Sequence, residues 1–242
     1  HYILYIIFFY LTAVKRWVVS MSDLNLKVQP ISLSQRVYQA LVMAILDGRF
    51  KPGDWLRESF LCEELGVSST PLREALQRLV HEGLAERMLN VGVRVAVLDT
   101  EDVIEIYDLR EYLERLAIRL STKRRTVEDL IQLDELQKQG YSALQKNDLI
   151  AYREYNKKLH NLFFTIAGSH RLRIVMSSLQ LQIEVVMART ILFPGRPVRA
   201  IKEHDDIIRA LKEREAELAE KLMHEHIRQA KEELILWACS KE

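Results

Sequence analysis

The distribution of glycine constrains this chain more than any other feature. Five of the eight glycines (Gly48, Gly53, Gly66, Gly83 and Gly92) fall between positions 48 and 92, whereas the stretch from 100 to 242 holds three glycines and two prolines. Glycine and proline punctuate short elements, so the first part reads as a small domain with frequent turns and the second as long helices with few breaks. The division falls near Asp99, which predicts one domain over 30–98, a second over 99–242, and an extension over 1–29. A content of 48% apolar residues and a net charge of +1 exclude a disordered chain. Cys62 and Cys239 form no CxxC pair, which excludes a structural cysteine–zinc module and suits a reducing cytoplasm.

The most apolar run, HYILYIIFFYLTAV at 1–14, is shorter than the roughly 18 residues that a membrane-spanning helix needs. Its basic residues, Lys15 and Arg16, follow the run rather than precede it, which argues against a signal peptide. Met21 opens an ordinary polar start, so residues 1–20 are expected to be appended upstream sequence, with a membrane anchor or a partner segment as alternatives. A cytoplasmic protein without a membrane partner is the expectation.

From Ile31 the pattern becomes regular. Leu33, Val37, Leu41 and Ile45 recur at helical spacing until Gly48, and Pro52-Gly53 marks a turn. A short helix over Glu58–Leu65 ends at Gly66. In VSSTPLREALQRLVHEGL, Thr70 is expected to cap a helix that begins at Pro71 and buries Leu72, Ala75, Leu76, Leu79 and Val80. Alternation in 85–89 and 93–97 around Asn90-Val91-Gly92 predicts a β-hairpin. Together these elements predict a winged helix-turn-helix, whose second helix enters the DNA major groove. Residues 31–98 hold eight basic and eight acidic side chains, so attraction to phosphate must come from placement. Ser68, Ser69, Thr70 and Arg73 cluster at the N-terminus of the second helix and Arg94 sits in the wing. Double-stranded DNA is the expected partner; a protein–protein module is the alternative for the same geometry.

Beyond Thr100 the apolar residues keep the helical period, which predicts helices near 101–122, 126–146, 148–167, 170–191, 198–213 and 215–238 in an antiparallel bundle. The whole chain is therefore expected to be mainly α. Asn156 and His160 lie one turn apart on one face, and His204 stands beside Ile207, Ile208 and Leu211. On the last helix Ala219, Leu222, Met223, Ala230, Leu234 and Trp237 trace the inward face and His226 falls on it, whereas His224 groups with Glu217, Glu220, Lys221 and Arg228 and is expected to face solvent. Three inward histidines with an amide beside the first suit a divalent transition metal such as zinc, nickel, manganese or iron, with positions left open for a ligand. Hydrogen-bonded core histidines are the alternative reading.

The segment LxxxILDGRFKPGDWLRESFLCEELGVSSTPLREALQRLVHEGL resembles the DNA-binding domain of the GntR family of bacterial transcriptional regulators. Arg73 matches an arginine of that pattern and Gly92 its wing glycine, while Ser69 stands where the family usually has arginine, so base preference departs from the family's. The resemblance implies a homodimer on a short palindromic operator. YDLREYLERLAIRL, YNKKLHNLFFTIAGSHRL, and EHDDIIRAL followed by AxxxMxEHI resemble the FCD ligand domain of the FadR-like branch. That resemblance implies metal ligands at Asn156, His160, His204 and His226, and an Arg110 that faces the metal cavity and can hold a carboxylate through two parallel hydrogen bonds. A surface ion pair with Glu111 or Glu114 is the alternative for Arg110. Asn156 replaces a common aspartate, so the metal is held more weakly and the site favours an anionic effector. His170, where asparagine is frequent, is expected to cap the following helix.

The function implied is a ligand-responsive transcription factor, more often a repressor in this family, with a small carboxylate as effector and no enzyme activity. A metal-free regulator is the first alternative. A metallohydrolase is the second, since three histidines on a metal can activate water; against it, no inward carboxylate is evident beside the histidines.

Overall fold

The structure is a computed structural model that describes residues 31–190 and 193–239. The expected extension at 1–29 and the side chain of Trp237 lie outside the described residues. Helix α1 (Leu33–Leu46) begins at Ser32, whose hydroxyl accepts from the Gln35 N–H at 3.1 Å. Helices α2 (Glu58–Leu65) and α3 (Ser69–His81) follow, and then strands β1 (Ala85–Met88) and β2 (Gly92–Val95). The strands pair antiparallel from Ala85↔Val95 to Met88↔Gly92. Asn90 and Gly92 both have positive φ, 59° and 144°, which lets the tip of the hairpin close in so few residues. Residues 53–56 lie along β2, with Leu56 N–H donating to the Val93 carbonyl at 2.9 Å and Val95 N–H to that of Asp54 at 2.9 Å. This is a winged helix-turn-helix.

The start of α3 corrects the sequence reading. Ser68, not Thr70, is the N-cap, and the helix begins at Ser69. Gly66 ends α2 in the left-handed region (φ 62°), and the Val67 N–H returns to the Cys62 carbonyl at 3.1 Å. That closure leaves little chain in the turn, so the helix starts early. Pro71 then sits within the first turn, where its missing N–H has no intrahelical partner to lose.

The second part is helical throughout: α4 (Thr100–Arg124), α5 (Val127–Gln145), α6 (Leu149–Ala167), α7 (His170–Thr190), α8 (Arg196–Lys212) and α9 (Ala216–Cys239). Capping boxes start α4 (Asp99 with Asp102) and α5 (Thr126 with Asp129). His170 is the first residue of α7 rather than its cap; the Ser169 hydroxyl accepts from the Leu172 N–H at 3.4 Å.

Buried apolar side chains form two cores. Val37, Leu41, Leu56, Leu61, Leu72, Leu76, Leu79 and Val93 hold the winged helix together, and Ile118, Leu159, Phe163, Ile207, Leu211 and Met223 belong to the bundle core. Helix α7 serves both: Leu181 and Val185 pack against the first core, while Ile183, Val186 and Met187 belong to the second. The Gln182 amide also donates to the Glu82 carbonyl at 3.2 Å. Gly83 permits that approach, because a Cβ there would lie 2.1 Å from Gln182 Nε2 and its φ is +70°.

Candidate metal centre and nucleic-acid face

The helical period of α6 aims Asn156 and His160 inward, α8 supplies His204 and α9 supplies His226. One ring nitrogen from each histidine lies within 4.8 Å of the other two. His204 Nε2 and His226 Nε2 are 3.3 Å apart, and His160 Nε2 is buried with no hydrogen-bond partner. The opposite nitrogens are all held. His160 Nδ1 meets a Glu114 carboxylate oxygen, His204 Nδ1 lies 2.9 Å from the Tyr155 hydroxyl, and His226 Nδ1 lies 2.5 Å from a Glu203 oxygen. Such outer partners fix the rotation and tautomer of each ring and turn the Nε2 lone pairs to the centre. Burial pushes His204 and His226 well below the ordinary histidine range, and the neighbouring histidine and arginine charges push in the same direction. Both rings are therefore neutral at pH 7, the form in which imidazole binds a metal.

Glu114 overturns the expectation that no carboxylate stands beside the histidines. It is fully buried on α4, with one oxygen accepting from Arg110 Nε at 2.7 Å and the other on His160. Burial alone would raise its carboxyl, but the charges of His160 and Arg110 outweigh that and hold it at about 2. Arg110 forms an ion pair with Glu114, as one reading had it, but the pair is buried rather than superficial. Tyr107, Arg110, Glu114 and Ile118 share one face of α4, so the spacing of an arginine and a glutamate among apolar neighbours was the available signal.

Sequence reasoning also missed Tyr155, Glu203 and Arg196. The buried Arg196 guanidinium donates to both oxygens of Glu203, at 2.7 and 2.9 Å, and so orients the carboxylate that holds His226. Asn156 is buried and lines a small cavity together with Arg110, Arg196 and His226. His224 stands away from the three histidines, part-exposed, with Nδ1 2.7 Å from a Glu111 oxygen.

The winged helix presents a different kind of surface. Ser68, Ser69, Thr70 and Arg73 are all exposed at the head of α3. Arg73 Nε donates to Glu58 at 2.7 Å across the helix-turn-helix. Arg94 faces Glu86 on the paired strand and donates to it through Nε (3.3 Å) and Nη2 (2.9 Å), so its charge is already offset. Gly92 lies at the base of the hairpin tip, on a groove that Trp55, Arg57, Ser59 and Arg87 also line. Arg57 and Arg87 form no ion pair among the described residues, and Arg87 was not singled out from the sequence.

Comparison with known proteins now decides the family. Residues 33–95 match the family described as bacterial regulatory proteins, gntR family, and residues 105–229 match the FCD domain. The chain belongs to the GntR family, with an FCD domain. An uncharacterized HTH-type transcriptional regulator, YdhC of Bacillus subtilis, is 28% identical over 210 residues, covering 85% of this chain and 92% of its own length. A probable D-xylose utilization operon transcriptional repressor of Paenarthrobacter nicotinovorans is 27% identical and covers 81% of this chain and 86% of itself. Among solved structures, Escherichia coli McbR/YncC superposes with a TM-score of 0.73 at 25% identity, covering 85% of this chain and 98% of that one. This GntR-family protein is thus a transcriptional regulator by family, with its winged helix at 33–95 and its helical FCD domain behind it.

Proposed function

We propose that this GntR-family regulator acts as a repressor, a homodimer on a palindromic DNA operator whose affinity is set by a small carboxylate bound at a divalent transition metal. The observation that carries the metal is the set of three buried histidines, each held at Nδ1 by a different partner, with the Nε2 of His160 left without one. An orphaned buried nitrogen is costly unless something takes it up. His160, His204, His226 and Asn156 would hold the ion, which supplies positive charge and open coordination positions for an anion. Imidazole and amide bring no negative charge to a bound ion, and Glu114 and Glu203 are paired with Arg110 and Arg196, so the ion's charge would favour an anionic effector. Arg110 would share in holding it.

DNA contact is assigned to Ser68, Ser69, Thr70 and Arg73 at the head of α3, with Gly92 and Arg94 in the wing. The exposed stripe Leu109, Tyr112 and Leu116 on α4 supports a homodimer. Glu101 and Glu105 precede that stripe and Lys123 follows it, with Arg119 between already paired to Glu220 at 3.1 Å, so a second copy laid antiparallel on it would set Lys123 near the acidic end. A DNA regulator of this kind works in the cytoplasm. Hydrolysis is disfavoured by Glu114 itself: both oxygens are taken and its carboxyl is held at about 2, far from the range of an effective general base.

The test is metal per protomer, by elemental analysis, on protein purified without a histidine tag or chelator. About one transition metal per chain is expected, and loss of it in His160→Ala. Absence of metal after incubation with zinc, nickel and manganese would overturn the metal half of the reading and leave Arg110 as the anchor.

A further inference from the structure

The three rings of the candidate metal centre are held by unlike partners. At His160 and His226 the Nδ1 faces a carboxylate, Glu114 and Glu203, which only accepts, so a neutral ring there carries its proton on Nδ1 and leaves Nε2 bare. At His226 the Glu203 oxygen at 2.5 Å outranks an Arg196 nitrogen at 3.5 Å. At His204 the Nδ1 faces the Tyr155 hydroxyl at 2.9 Å, a group that can donate or accept. Its own partner therefore does not decide the tautomer of His204. If Tyr155 donated, the ring proton would sit on Nε2, 3.3 Å from His226 Nε2, and the two rings would close on each other.

Gln137 on α5 decides it. Its Nε2 donates to the Ile201 carbonyl at 3.1 Å and to an Asp205 oxygen at 2.7 Å, while Tyr141 donates to the other Asp205 oxygen. The reverse amide orientation would press oxygen against both acceptors, so Gln137 Oε1 faces Tyr155, 2.6 Å away. A phenol has one proton, and here it goes to Gln137. The Tyr155 oxygen is left to accept from His204 Nδ1–H. Gly140, one turn along α5, admits the ring to this line: a Cβ there would lie 2.7 Å from Tyr155 Cε1 and Cζ.

We propose that Gln137 is a positioning residue that fixes His204 as the Nδ1–H tautomer through the Tyr155 hydroxyl, and so keeps the His204 Nε2 lone pair from being closed off by His226. The use of that lone pair rests on the metal reading above; the tautomer itself does not. Two bare Nε2 atoms 3.3 Å apart repel, and a proton moved to His204 Nε2 would relieve them. The hydrogen bonds from Asp205 through Gln137 to Tyr155 hold His204 against that relief. Helix α5 supplies none of the candidate ligands and still sets how one of them presents itself.

The experiment is nitrogen–proton correlation NMR of the histidine rings in isotope-labelled, full-length, metal-free protein, with the His204 signals identified by their loss in His204→Gln. Wild-type His204 is expected to carry its proton on Nδ1. Gln137→Met frees Tyr155 to donate to Nδ1 and should move the ring proton to Nε2. Zinc affinity of the same variant, read by competition with a chelating dye, should fall about 10- to 100-fold. Tyr155→Phe removes the group through which Gln137 acts, so adding Gln137→Met to it should weaken zinc binding little further, whereas a merely structural role would add. A wild-type His204 protonated at Nε2, an unmoved proton in Gln137→Met, or losses that add in full would each overturn the proposal. The wild-type spectrum decides even if Gln137→Met does not fold. The expected tautomers in a protein that takes up no zinc would support the role of Gln137 and overturn the metal reading alone.

Discussion

The two candidate sites of this regulator are built on opposite plans. In the winged helix the residues proposed to contact DNA lie close together in sequence and outside: Ser68, Ser69, Thr70 and Arg73 are at the head of one helix, Gly92 and Arg94 are in the wing, and Arg73 is 67% exposed and paired with Glu58. The candidate metal-centre residues of the bundle come from α4, α6, α8 and α9 and lie inside, with His204 at 0% exposure and each ring tied by its own hydrogen bond. An exposed pair such as Arg73–Glu58 is worth little and exchanges readily for a phosphate or a base edge. A buried ring held at the far nitrogen keeps its aim before any ligand arrives. On the proposed reading, the surface that would search DNA is left loosely committed, and the cavity that would select a ligand is fixed in advance.

The sharpest way to break that comparison is Glu114→Ala. It leaves the Arg110 guanidinium buried without its carboxylate, and the free energy of unfolding in urea should fall by about 3–5 kcal/mol. Arg73→Ala should leave it within about 0.5 kcal/mol; similar losses in both would erase the distinction. The next effect is acid sensitivity of the metal-free bundle. His204 and His226 are neutral when folded and take up protons near pH 6.5 when unfolded, so below that pH the unfolded state binds more protons and stability falls with acid. The slope is at most about 1.4 kcal/mol per pH unit for each histidine, and Glu114, held at about 2, adds its loss only below its ordinary value of 4.5. Melting temperatures that stay level from pH 7 to pH 5 in chelator would contradict this.

Smaller effects sharpen the same contrast. Arg73→Ala should weaken operator binding by about 1–3 kcal/mol if it makes a bidentate base contact, measured by fluorescence anisotropy on operator DNA. Tyr155→Phe removes the hydroxyl behind His204 and should weaken metal binding by about 10- to 100-fold, read by competition with a chelating dye, without changing DNA affinity of the metal-free protein. Arg94→Ala should be the mildest, below about 1 kcal/mol on DNA binding, because Glu86 already offsets its charge. A larger loss for Arg94 than for Arg73 would move the reading surface from α3 to the wing.

Much of this architecture was legible because it is local. Glycines end α2 and α6, alternating residues mark the hairpin, and the helical period alone separates buried His226 from part-exposed His224 on α9. The start of α3 was misread because the closure at Gly66 that shortens the turn is a backbone event with no side-chain signature. The outer partners of the histidines were illegible for a different reason. Glu114, Tyr155 and Glu203 each meet a histidine on another helix or far along the chain, and a glutamate in a helix reads as solvated surface until its neighbours are known.

Helix α7, which contributes side chains to both cores, limits how modular this regulator is. Cutting the chain before Asp99 and grafting a relative's head would set foreign side chains against Leu181 and Val185, and any residue but glycine at position 83 would collide with Gln182 as it stands. Exchange of DNA specificity between such proteins therefore has to carry the matching face of α7 along with the head. The unit of inheritance for a new operator is larger than the part that touches DNA.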